Sequence, residues 1–118
     1  MLTIEKALEL SERQPDKVVV YYDGPQVFII YDEGNKVYVA NHLDDEPEDI
    51  WGYTKVNKNF WEQQMETGKV SLKEMMLNPD HETFLVIKKG NLTEIQLVKA
   101  KHLPEKLIPS EKSFLKNR

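Results

Sequence analysis

The run KVVVYYDGPQVFIIYDEGNKVYVAN, Lys17 to Asn41, decides the fold. Three short segments, Lys17–Tyr22, Gln26–Tyr31 and Lys36–Asn41, are rich in Val, Ile, Tyr and Phe, the side chains that suit a pleated, half-buried surface. Asp23-Gly24-Pro25 and Asp32-Glu33-Gly34-Asn35 stand between them. Gly and Asn accept the positive φ that a tight turn between antiparallel strands requires. The run therefore predicts a three-strand antiparallel meander. Its first two segments are apolar at nearly every position, so both faces of the sheet should be covered. One face would take the helices. The other would take a partner chain, which leaves room for a homo-oligomer.

Upstream, residues 3–13, TIEKALELSER, have helical spacing. Thr3 suits the cap, Glu5 the first turn, and Ile4, Ala7 and Leu8 form the expected buried stripe. Pro15 stops the helix. Downstream, DIWGYTKVN, Asp49–Asn57, predicts a fourth strand. It would carry Ile50, Gly52, Thr54 and Val56 on one face and Trp51, Tyr53 and Lys55 on the other. Residues 58–67 predict a short helix capped by Asn59, with Phe60, Trp61, Gln64 and Met65 inward and Gly68 closing it. Ser71–Glu74 is a capping box that opens a second short helix through Leu72, Met75 and Met76 and ends at Asn78-Pro79. Gly90-Asn91 marks a second hairpin between ETFLVIKK and LTEIQLVKA.

The expected class is α+β: residues 1–100 form one compact domain, with an antiparallel sheet of about six strands and the helices on one face. Residues 101–118 are a basic tail, partly packed through Leu103, Leu107, Ile108, Phe114 and Leu115, or flexible.

At 118 residues the chain fits a single domain and can bury roughly 65% of its unfolded surface. It has no cysteine, which excludes disulfides and thiolate chemistry. The N-terminus lacks a basic leader, and no apolar run approaches the ~20 residues a membrane helix needs. A soluble, cytoplasmic protein without membrane contact is expected. Residues 1–98 hold 10 basic and 18 acidic side chains, whereas residues 99–118 hold six and two. The body should repel nucleic acid, whose affinity for proteins comes largely from neutralised phosphates.

No G-x-S-x-G elbow, phosphate-binding glycine loop or H-E-x-x-H motif is present. His42 and Asp44, two apart at a strand end, could share a face. With Asp45 they give the one version of a metal-dependent hydrolase the sequence offers. Asp80-His81-Glu82 offers a second set of donors. Neither has the spacing of a recognised metal motif, and no cofactor is implied. Binding has more support. Five carboxylates, Asp44, Asp45, Glu46, Glu48 and Asp49, precede Trp51 and Tyr53. An acidic edge beside exposed aromatics steers and anchors a protein with a basic surface. These seven residues are the expected partner-binding set. The alternative is a homo-oligomer that sequesters a small nucleotide. Its bases would stack on the aromatic supply (Tyr21, Tyr22, Phe28, Tyr31, Tyr38, Trp51, Tyr53, Trp61), and Arg13, Lys55 or Lys58 would hold its phosphates.

From Trp51 to Phe84 the pattern W-G-Y-T-K-V…F-W-E…G-K-V-S-L-K-E-M-M-L-N-P…F-L-V resembles a family of small α/β domains of unknown function in bacteria and phages. The upstream YYDGPQVFIIYDEGNKVYVA is similar to the hairpin that opens them. The resemblance spans roughly Tyr21 to Lys99. It implies a single compact, non-enzymatic module, an inhibitor or counter-defence protein by analogy, and it carries no catalytic residues across.

Overall fold

The computed structural model describes residues 1–21, 25–110 and 114–116. Tyr22 and the Asp23-Gly24 turn lie outside the described residues, as do residues 111–113 and 117–118 of the tail and the side chains of Phe114 and Leu115. In chain order the elements are α1 (Ile4–Glu12), β1 (Lys17–Tyr21), β2 (Pro25–Asp32), β3 (Lys36–Asp44), β4 (Asp49–Asn57), α2 (Lys58–Glu66), β5 (Lys69–Ser71), α3 (Leu72–Leu77), β6 (Glu82–Lys89), β7 (Leu92–Val98) and β8 (Phe114–Lys116). Short 3-10 turns at Ala100–His102 and Glu105–Leu107 lie between β7 and β8. The class is α+β, with a six-stranded sheet in the order β1-β2-β3-β4-β6-β7, antiparallel throughout.

The turns follow the expected chemistry. Gly34 and Asn35 carry φ of 68° and 58° between β2 and β3, and Gly90 carries 61° between β6 and β7. The first of these turns is also tied down, because Lys58 donates its backbone N–H to Asn35 O at 2.8 Å.

Cross-strand register defines two faces. On the first, Phe28, Ala40, Tyr53, Phe84 and Leu97 form one row across five strands. On the second, Ile29, Val39, Thr54, Thr83 and Val98 form the adjacent row. The first face is covered by α1, which enters near β6, where Leu2 donates its N–H to Glu82 Oε2 at 3.0 Å. It leaves near β2, where Arg13 Nη1 meets Asp32 Oδ1 at 3.2 Å and Nη2 meets Tyr31 O at 2.9 Å. Lys6 Nζ also reaches Asp32, at 3.0 Å. Burial pushes the Asp32 carboxyl up. The Lys6 hydrogen bond, the Glu33 N–H and the charges of Lys6 and Arg13 outweigh that and hold it below the ordinary carboxylate range. The second face packs on Trp61, Val70, Leu72 and Met75 from α2, β5 and α3, and on Leu103 and Leu107 from the segment after β7.

Helices therefore lie on both faces, where the sequence suggested one. The inserted segment 58–81 returns to the sheet on the side opposite α1, so the chain itself covers the face expected to need a partner. The stripe of α1 differs too. Ala7 and Leu10 are buried, while Ile4 and Leu8 are 50% and 42% exposed. Thr3 caps α1 as expected, accepting from Lys6 N at 3.1 Å. Asn57, not Asn59, caps α2, because its side chain accepts from Asn59 N at 2.8 Å. Ser71 caps α3, accepting from Glu74 N. Gly68, with φ 83°, follows α2 as expected. The pairing of β5 with β8 was not foreseen, since three-residue strands carry too little periodicity to read.

Candidate functional site

The site grows from a cross-strand pair. His42 of β3 lies opposite Trp51 of β4, and the rings stack with centroids 4.7 Å apart and planes at 25°. Behind Trp51 the aromatic side chains form a continuous line. Trp51 tilts against Phe28 at 5.3 Å, Phe28 meets Tyr53 edge-on at 5.8 Å, and Tyr53 stacks on Phe84 at 4.8 Å. Ala40, between Phe28 and Tyr53 in the row, is small enough to let those two rings meet. The line runs from a half-buried rim to a closed interior. Tyr53 is 4% exposed, and burial pushes its phenol up to about 12.

The acidic segment is held at several points. Asp49 Oδ1 sits 2.7 Å from His42 Nε2, so the residue that ends the loop is fixed to the ring that backs Trp51. Asp44 turns inward along its own chain and accepts the N–H of Asp45 at 2.9 Å and of Glu46 at 3.3 Å. Glu48 Oε2 is shielded from solvent, and its charge is met by Lys89 Nζ at 3.2 Å. Glu48 and then Glu94 raise the pKa of that ammonium. Pro47 follows a cis peptide bond. Asp45 and Glu46 remain exposed, and among the described residues neither carboxylate has an ion-pair partner.

The seven expected binding residues thus divide. Asp45 and Glu46 form the free acidic surface, while Asp44, Glu48 and Asp49 shape it through bonds inside the protein. Trp51 is half-buried at its border. Tyr53 is removed from the set: alternation along β4 turns it inward beneath α1, where it belongs to the core. The His42–Asp44 pairing also fails. A bulge at Leu43 lets two residues of β3 oppose one of β4 and takes Asp44 out of the alternation that would place it beside His42. Asp49 takes that place. Among the described residues no group of three or more His, Asp or Glu side chains is arranged to hold a metal ion.

The cations expected to hold phosphates are engaged elsewhere. Arg13 is bound to Asp32, Lys55 pairs with Glu82 at 3.5 Å, and Lys58 lies 5.9 Å above the Tyr31 ring and 4.0 Å from Glu62. Ser11 and Ser71 are used at helix ends. No helix is long and apolar enough to cross a membrane among the described residues.

Two features escaped the sequence. One is the flank of α1. On a helical wheel Ile4 and Leu8 project away from Lys6 and Arg13. Lys6 and Arg13 reach Asp32, beside the β2–β3 turn, so Ile4 and Leu8 face the half of the sheet that carries Trp51 and half-buried Ile95. The other is a cleft of about 550 Å³ at the β2–β3 end, lined by Leu2, Met76, Pro79, His81, Leu97 and Lys99 among others. His81 Nδ1 lies 2.7 Å from Met75 O there. That carbonyl can only accept, so Nδ1 carries the hydrogen of this bond. No family model, curated protein or solved structure matches the chain.

Proposed function

We propose that the protein is a non-enzymatic binding module whose contact surface is the acidic loop 44–49 with Trp51 at its border, and that it takes a protein partner with a basic surface. The carrying observation is the His42–Asp49–Trp51 arrangement: a stacked ring pair hydrogen-bonded to the end of the loop. It fixes the end of the loop that carries the free carboxylates of Asp45 and Glu46, two residues before a large, half-buried ring. Preorganisation of this kind lowers the ordering cost of association. Aromatic anchors bordered by charge suit protein contacts. The resemblance to small bacterial and phage domains adds the sense of the action: an inhibitor that occupies a basic surface of its target, acting in the cytoplasm.

Asp45→Lys/Glu46→Lys tests this directly, because neither side chain supports the fold. Native mass spectrometry of complexes drawn from a lysate of the host should show a basic polypeptide bound to the unaltered chain. The double variant should lose it. Binding should also fall between 0.1 and 1 M salt, as the screening length shortens from about 10 to about 3 Å. Identical polypeptides bound to both forms would end the proposal.

The cleft favours a second reading, a sequestered small anion with an apolar body. Its volume suits a small ligand, and Lys99 and Lys101 stand at its wall. A nucleotide panel should then raise the melting temperature by mass action. No shift with any member would dismiss it.

A further inference from the structure

Among the described residues the large sheet has two open edges, and they are unlike. β1 is five residues long and its pairing with β2 is broken by register shifts between Val18 and Val20 and between Val20 and Tyr21. Such irregularity is one of the ways an edge is kept from pairing with another chain. β7 has no such irregularity. Its seven residues, Leu92–Val98, pair with β6 without a shift from Thr83↔Val98 to Lys89↔Leu92. Its sequence, LTEIQLV, contains no Pro, Lys or Arg. Leu92 is 73% and Leu97 44% exposed. A regular edge of this length presents a row of unpaired N–H and C=O groups, which is a template for strand addition.

We propose that β7 pairs antiparallel with β7 of a second copy of this chain, about a two-fold axis at Ile95, joining two six-stranded sheets into one of twelve. The occupant follows from the side chains. A two-fold normal to the sheet keeps its faces continuous, so each residue must oppose one of the same face. The register centred on Ile95 pairs the strand over its whole length. It sets Leu92 against Val98, Thr93 against Leu97, and Glu94 against Gln96. Exposed Leu92 and Leu97 both gain cover. The only charge of the strand meets an amide that can donate to it, and Gln96 Nε2 already donates to Glu94 Oε2 within the strand, so both lie on one face within reach. The register centred on Glu94 would instead oppose two carboxylates, and the one centred on Gln96 would pair five residues rather than seven. The edge is thus complementary to itself.

Sedimentation equilibrium of the full chain tests this, with each variant's fold checked by circular dichroism. The unaltered chain should reach twice the 13.8 kDa monomer mass as concentration rises. Gln96→Glu places a carboxylate opposite Glu94 twice per dimer and should raise the dimer Kd about 2- to 30-fold. Gln96→Lys should lower it by a comparable factor. A chain that stays monomeric at millimolar concentration would overturn the proposal. So would a dimer indifferent to both substitutions, which would have to join through another surface. Asp45→Lys/Glu46→Lys should leave the dimer intact, so this test and that of the acidic loop fail independently.

Discussion

The two faces of the sheet reach the same burial by different means. The α1 face has one nine-residue helix over it. Its row of side chains is large: Phe28, Tyr53 and Phe84, with Tyr38 beside them. The opposite face has two helices, a small two-stranded sheet and the turns after β7 above it, and its row is small: Ile29, Val39, Thr54, Thr83 and Val98. A sheet can be closed by bringing more chain to it or by growing larger side chains from it. The aromatic solution is compact but ends abruptly. Beyond the flank of α1 that carries Ile4 and Leu8, the neighbouring Trp51 and Ile95 are left half-covered, and there the candidate surface lies.

The largest expected effect is on the aromatic face. Phe84→Ala should destabilise by about 3–5 kcal/mol in urea unfolding, because no other element stands ready to refill the space. Val39→Ala, under the richer cover, should cost about 1–3 kcal/mol. Equal losses would break the comparison.

Tyr53 sharpens it through pH. Its phenol titrates near 12 in the folded protein, above the ordinary tyrosine value of about 10. The folded state then holds its proton more tightly than the unfolded one. The stability this confers is whole below about pH 10 and is lost as pH rises toward 12. Urea midpoints measured from pH 9 to 12 should fall less steeply for Tyr53→Phe. An unchanged slope would mean that the phenol is not buried.

Gly52 probes the second face at a close approach. A Cβ there would lie 2.8 Å from Leu43 Cδ1 and 3.4 Å from Met76 Cε. Both are ends of flexible side chains and can shift, so Gly52→Ala should cost about 1 kcal/mol, at the low end of overpacking. A stabilised variant would show that the contact has slack.

The smallest effects separate the faces. Thr3→Ala removes the α1 cap and should cost about 1 kcal/mol. Hydrogen exchange should quicken in α1 and leave α3 alone. Ser71→Ala should do the reverse. If both variants loosened both helices alike, the two covers would be one cooperative unit.

How far this was legible depends on range. The meander, the fourth strand with its two faces, both short helices and the second hairpin were all local matters of period and turn chemistry, and they stand as read. The faces taken by the helices were not local. They depend on which way segment 58–81 crosses, and nothing in that segment's own pattern sets this. The stripe on α1 was misread because Ile4, Ala7 and Leu8 satisfy helical spacing as well as Ala7 and Leu10 do, and the sheet beneath chose between them. In the site, the acidic loop and Trp51 were visible. Tyr53 could not be told from Trp51, two positions along one face, until the flank of α1 was placed. The His42–Asp49 contact was hidden by the bulge at Leu43, which no residue type announces.

The pairing of β5 with β8 has a consequence for the order of assembly. The first four strands of the large sheet join neighbours in sequence, and closing short loops costs little entropy and takes little time. Val70 and Leu115, by contrast, meet across a separation of about 45 residues. That contact rewards the chain only after both segments have been carried to the same side of a finished sheet. It is expected to be the last to form and the first to open. The small sheet acts as a latch closed on an already folded body, and during refolding protection from exchange should appear first in β3 and β4 and last at Val70.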